Sequence, residues 1–200
     1  NLGNNLAYCL AIEKLCELDV PERAQVIRVI IAELQRLNSH LVWLGTHVMD
    51  LGASSVFLYC MREREYILDL FEMVSGQRMM GTYIRPGGIW RDFPAGFEEQ
   101  LRRFLDYLPP KIDDYERLLD ENPIWKDRTQ GVGIIPPEGA IQWGITGPSL
   151  RASGVNFDIR KAMPYAGYER FDFEVPTGSN GDVYDRYTVR MREMRESVKI

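Results

Sequence analysis

The segment from Arg23 to Gly52, RAQVIRVIIAELQRLNSHLVWLGTHVMDLG, constrains this chain more than any other. At helical spacing it carries two stripes. Ile27, Ile30, Leu34, Leu37, Leu41, Leu44 and Val48 recur every three or four residues and form an ordinary apolar face. Beside it run Glu33, Arg36, His40, Trp43, His47 and Asp50 at the same alternating steps. The remaining side (Ala32, Ser39, Val42, Gly45, Thr46, Met49) is small or apolar, so little of the helix suits water. A charged stripe in an interior must find partners, because an unpaired buried charge is costly. Such a stripe points to a large assembly or a functional cavity.

Within the stripe, Glu33 and Arg36 are spaced as an i,i+3 ion pair, and His40 is expected to hydrogen-bond with them. His40 and His47 are the only histidines; two turns separate them, about 10 Å along the axis, too far for one metal. With no HExxH run, no metal site is expected. Asp50 ends the stripe at a helix C-terminus, where a carboxylate opposes the helix dipole unless a cation or donor meets it. It faces solvent, makes a structural hydrogen bond, or orients or charges a histidine from elsewhere, as acid–base sites require.

Around this helix the pattern is mainly helical. A first helix covers about Leu2 to Glu17, with Leu6, Leu10 and Glu13 on successive turns, and Pro21 opens the long helix. A third runs from Ser55 to about Val74 and stops at Ser75-Gly76; its Arg62-Glu63-Arg64-Glu65 run reads as a solvated or interface face. Residues 77–94 lose the period and contain a Pro-Gly-Gly turn. Phe97 to Leu119 is helical again, and Pro109-Pro110 should kink or split it. Asn122 to Arg128 reads as a connector, GVGII (131–135) as a short buried strand, Glu138 to Gly144 as one helical turn, and FDFEVP (171–176) as a strand. Between them GPSLRASGVNFDIRKAMPYAGY (147–168) is rich in Gly, Ser and Pro yet dense in charge, and a long loop of this kind is usually functional or an interface. The expected organisation is one domain over 1–200: a helical core 1–121, a loop-rich segment 122–182 and a terminal helix 183–200.

Several function classes drop out. A net charge of −5 argues against a nucleic-acid surface. No apolar run has the length of a bilayer span, and no GxSxG, P-loop or GxGxxG is present. Cys9, Cys16 and Cys60 include no CxxC pair and read as reduced core thiols. The chain opens and closes inside helical patterns and reads as the middle of a longer protein.

LAYCLAIEKL, the long-helix segment, RERE followed by GQRMMGTYIRPGG, GPSLRASGVNFDIRKAMPY and RMREMRESVKI, in this order, resemble the family of the quinone-site (D-type) subunit of respiratory NADH:quinone oxidoreductase (complex I) over essentially the whole chain. The resemblance implies a helical bundle like the nickel–iron hydrogenase large subunit, with small β elements and without its metal. It implies a proton-pumping oxidoreductase on the cytoplasmic side of the cell membrane, in which this subunit and a neighbour form the pocket where quinone is reduced. The [4Fe–4S] cluster that delivers the electrons belongs to the neighbour, so this chain alone holds no cofactor. Partners are the other peripheral-arm subunits, and membrane contact is made only through them. The family's quinone-ligating His and Tyr lie outside this sequence. Asp50 matches the family aspartate that pairs with that His. Met80 stands where many members carry a His near the cluster, which implies loss of that proton coupling, and Arg85 lies in the adjacent loop. Glu33, Arg36, His40, Arg151, Asp158 and Arg160 fall in signature segments read as architectural. The competing expectation is the large subunit of a membrane-bound, energy-converting nickel–iron hydrogenase. For the isolated piece, the expectations are a catalytically inert scaffold and self-association through surfaces normally covered.

Overall fold

The computed structural model describes residues 2–200. Three helices form its frame: α1 (Leu2–Cys16), α2 (Glu22–Asp50) and α3 (Ser54–Ser75). α3 folds back along α2 after three connecting residues, and Gly45 makes the approach close. A Cβ at Gly45 would lie 3.3 Å from both the Cys60 Cβ and the Phe57 ring. The apolar face of α2 is buried as its spacing requires, except that Ile30 is half-buried. Its small-residue side is wetter than expected: Gly45 is buried, but Ser39 and Met49 are exposed. α3 ends at Gly76 in the left-handed conformation (φ 74°), where glycine is the undemanding residue.

A two-residue hairpin, β1 (Ile84–Arg85) and β2 (Gly88–Ile89), pairs Ile84 with Ile89 and Arg85 with Gly88. It is fastened from below by an ion pair the sequence pattern concealed. Arg28, which interrupts an apolar run in the sequence, is buried and bonds Glu13 at 2.5 and 2.9 Å. Its guanidinium also donates to the Arg85 and Gly88 carbonyls, while Glu13 accepts from the Gly87 N–H at 2.7 Å.

α4 (Phe97–Asp120) runs unbroken through Pro109 and Pro110, contrary to the expected split. The two prolines remove the bonds that would reach the carbonyls of Leu105 and Asp106, and these residues sit on the half-exposed and exposed sides of the helix, away from its buried face. The apolar residues Phe104, Leu108, Ile112, Tyr115 and Leu119 stay aligned on the core across the pair.

The second half departs most from expectation. Asn122 to Arg128 is not a connector but carries α5 (Pro123–Thr129), capped by the Asn122 side chain accepting from the Ile124 and Trp125 N–H groups. GVGII forms no strand and is largely exposed, with Val132 and Ile134 open to solvent. Its ends are instead tied to the 181–183 turn by Ile135 N–H to Gly181 O and Val183 N–H to Val132 O. α6 (Pro137–Gln142) is the expected single turn. The 147–168 segment contains α7 (Gly147–Ala152) and α8 (Ile159–Ala162) rather than a structureless loop. FDFEVP is extended, with Phe173 buried between exposed Asp172 and Glu174, but it forms no ladder. The alternation is real, yet no strand lies beside it, and the Glu174 N–H goes to the Glu196 carboxylate. α9 (Val183–Lys199) starts on an Asp182 cap and packs against α2, α4, α5 and α7.

Candidate functional site

The charged stripe of α2 meets its partners from the opposite end of the sequence. Glu33 is buried and receives four donors: Arg160 Nη1 at 3.1 Å, Tyr168 OH at 2.5 Å, Ser197 Oγ at 2.6 Å and Arg36 Nε at 3.1 Å. Burial alone would raise its pKa, but Arg36, Arg160 and the two hydroxyls together hold it below the usual glutamate value. Asp158 caps α8 and grips Arg160 through both oxygens. Its burial is outweighed by Arg160 and Arg151, which bring its pKa to about 2.

A second carboxylate, Glu193 of α9, completes the arrangement. Its Oε1 accepts from Arg151 at 2.6–2.7 Å and its Oε2 lies 2.8 Å from His40 Nε2. His40 therefore bonds Glu193, not the Glu33/Arg36 pair its own helix offered, because α9 lies across that face. Burial is the largest influence on His40 and lowers its pKa despite Glu193. Neutral His40 then donates Nε2–H to Glu193, a tautomer assigned from the bond. Arg151 also spans to Asp158 at 3.8 Å, so Glu33, Arg36, His40, Arg151, Asp158, Arg160 and Glu193 form one continuous ionic hub. All of these except Glu193 carried sequence signals. Glu193, Tyr168 and Ser197 were missed; REMRES at the chain's end reads as a solvated run, although Glu193 lies one turn from buried Val189.

The stripe continues into an aromatic file. Arg190 lies 4.1 Å from the Trp43 ring centre, Trp43 stacks on His47 at 4.8 Å, and His47 meets Trp125 edge-on at 5.7 Å. Burial lowers the His47 pKa, with Arg190 and Arg186 adding to it and Asp50 opposing. Arg190, which burial brings down to about 10, and Arg36 flank a cleft of about 740 Å³ between α1, α2 and α8.

Asp50, Met80 and Arg85 lie outside the hub. Asp50 is exposed at the last residue of α2 and makes no side-chain hydrogen bond among the described residues. Met80 is exposed and left-handed (φ 59°), and Arg85 projects from the hairpin surface. The RERE run is not simply a solvated face: Glu63 is wholly buried and takes bonds from Arg62 and Tyr107.

No cluster of three or more metal-ligating side chains occurs among the described residues. Cys9 and Cys60 are buried, with burial pushing the Cys60 thiol up to about 12. Cys16 is exposed rather than in the core. These thiols do not suit an iron–sulfur cluster. No helix among the described residues is long and apolar enough to cross a membrane.

The model of the respiratory-chain NADH dehydrogenase 49 kDa subunit matches residues 50–200, the part that supplies Arg151, Asp158, Arg160 and Glu193 to the hub. The chain belongs to that family. Over 199 residues it is 59% identical to a D-type subunit of NADH-quinone oxidoreductase from Chloroflexus aurantiacus and 61% identical to one from Roseiflexus sp., covering 100% of this chain and 48% of each relative. Over 200 residues it is 58% identical to the corresponding NADH-quinone oxidoreductase subunit from Thermus thermophilus, covering 49% of it. The chain thus spans about half the length of the curated relatives it matches. For this member of the 49 kDa family the resemblance carried by the motifs is correct, and the hydrogenase alternative gives way to it.

Proposed function

We propose that this chain is part of the quinone-site subunit of a proton-pumping NADH:quinone oxidoreductase and supplies one wall of the quinone-reduction pocket. The observation that carries this is Asp50: a carboxylate at the exposed end of α2, without a hydrogen-bond donor among the described residues, in a sequence 57–61% identical to D-type subunits of NADH-quinone oxidoreductases. Reduction of a quinone to a quinol takes up two electrons and two protons, so the pocket must orient donors at the carbonyl oxygens. Asp50 can accept one N–H from a histidine brought by the rest of the polypeptide and favour its protonated form, in which the second ring N–H donates to a quinone carbonyl. Asp50 is thereby a positioning residue.

The ionic hub, centred on Glu33 about five turns from Asp50, holds α2 against α8 and α9. Electrons would come from a [4Fe–4S] cluster ligated by an adjacent peripheral-arm subunit, since the donor set of this chain does not suit one. Met80 and Arg85 are assigned to that side of the subunit. Met80 has no titratable proton, so a cluster potential independent of pH is the expected companion result. Attachment to the cytoplasmic face of the cell membrane would be made through partner subunits.

The test is quinone-analogue binding and quinone reductase activity of the full-length subunit in its assembled complex, wild type against Asp50→Asn. A loss of activity of about tenfold or more with assembly intact supports the assignment. Unchanged binding and activity would leave α2 as scaffold for a pocket formed elsewhere.

A further inference from the structure

Beneath the loop 78–81 lies a small cavity of about 150 Å³, bounded by α2, α3, the loop and Leu2 of α1. Two of its polar groups are left unsatisfied by the described residues. Asn38 is only 7% exposed, its side chain forms no hydrogen bond among them, and its Oδ1 is sealed from solvent. Arg64 lines the same cavity with its Nε buried and without an acceptor. Its side-chain bond runs from Nη2 to the Met79 sulfur at 3.5 Å, and a thioether is a weak acceptor.

The neighbouring arginines are different. Arg62 is paired with Glu63, and Arg78 with Glu65 and Asp69, whereas no carboxylate of the described residues lies within ion-pair distance of Arg64. A partly buried guanidinium without a counter-charge is unfavourable, and two adjacent unsatisfied groups in a native fold require an explanation. The cavity rim adds a second, independent observation. Met79 and Met80 are 59% and 79% exposed, and Met80 holds a left-handed backbone that non-glycine residues seldom adopt. Exposed methionines around a cation that lacks its anion resemble the centre of a protein interface, where Arg and Met are enriched.

We propose that this cavity is a socket for an Asp or Glu side chain of a partner polypeptide. Arg64 is the anchor. The Asn38 amide, turned by half a revolution, offers its Nδ2–H as a second donor, since amide orientation is set by the bonding partner. Met79 and Met80 form the apolar rim that excludes water from the pair. The methionine rim favours a polypeptide over a free small anion, which would gain nothing from it. The proposal rests on the reading of the chain as a subunit of a larger assembly and names one contact in it.

The discriminating experiment uses the full-length subunit and its adjacent partner, with the affinity between them measured for wild type and Arg64→Met. Loss of the anchor should weaken association by about tenfold or more, because it strands a buried carboxylate, while the free subunit melts at the same temperature or higher. Unchanged or tighter association overturns the socket. In parallel, Arg64→Lys in the assembled complex is treated with a zero-length carbodiimide. An amide bond from the introduced lysine to an Asp or Glu of the partner is expected. Coupling only to Glu65 or Asp69 of the same chain, or no coupling at position 64, overturns it. The two readings fail separately. Coupling to the partner beside an Asp50→Asn variant of unchanged quinone binding and activity keeps the socket and removes the functional assignment. A lost quinone reductase activity in Asp50→Asn beside an inert Arg64→Met does the reverse.

Discussion

The middle and the end of α2 carry the same kind of residue in the same stripe, with opposite outcomes. Glu33 is buried and receives four donors; Asp50, about five turns further on, is exposed and receives none among the described residues. The helix itself does not distinguish them, since both are acidic residues beside an apolar face. What differs is the chain packed against each turn: α8 and α9 close over Glu33, and nothing in these residues closes over Asp50. A carboxylate satisfied inside its own chain serves the fold, and one left open is free to serve a partner.

The sharpest way to break this contrast is to remove both carboxylates in turn. Glu33→Ala strands Arg160 and Arg36 and should cost about 3–5 kcal/mol, read as a lowered unfolding midpoint of the full-length subunit. An effect below about 1 kcal/mol would mean that water reaches the hub and the contrast is false.

A middle-sized effect concerns pH. Burial lowers the His40 pKa in the folded chain, so below the ordinary histidine value of about 6.5 the unfolded chain binds a proton that the folded chain refuses. Stability present above that value is therefore lost as pH falls, at up to about 1.4 kcal/mol per pH unit for this one group. His40→Gln should flatten that slope below about pH 6.5, and an unchanged slope would place His40 in contact with water. The smallest expected effect is the most informative about Asp50: Asp50→Asn should change the unfolding free energy by less than about 0.5 kcal/mol. A larger loss would make Asp50 structural and end its separation from Glu33.

The same contrast explains what could be read from sequence. The period of α2, the ends of α3, the 84–89 turn and α9 follow from local spacing and turn chemistry, so they were legible. Glu33, Arg36 and His40 were recognisable because burying a charged stripe demands partners, and Arg151, Asp158 and Arg160 because their segment is dense in charge and matches a family signature. Which partner each residue takes was not, because His40 chooses between Glu33 and Glu193 according to where α9 lies. Arg28 was hidden because one arginine in an apolar run looks like an interruption, and its reason, Glu13 and two hairpin carbonyls, comes from elsewhere. FDFEVP alternates correctly but lacks a neighbour, and a strand needs a neighbour. α5, α7 and α8 were overlooked despite local signals: the Asn122-Pro123 cap and first-turn pair, Pro148 in the first turn of α7, and the Asp158 cap of α8.

Glu33 reaches Arg160, Tyr168 and Ser197 across 127, 135 and 164 positions of sequence. On the ribosome, at roughly 5–20 residues per second, α2 would wait about ten seconds or longer for those donors. Throughout that interval α1 and α3 can already cover the apolar face of α2, while Glu33 still lacks these three donors. The hub therefore acts as a clasp that only α9 can shut. A nascent chain halted before Ser197 should leave the hub open to proteases and chaperones, and one halted well after α9 has left the ribosome should be resistant there.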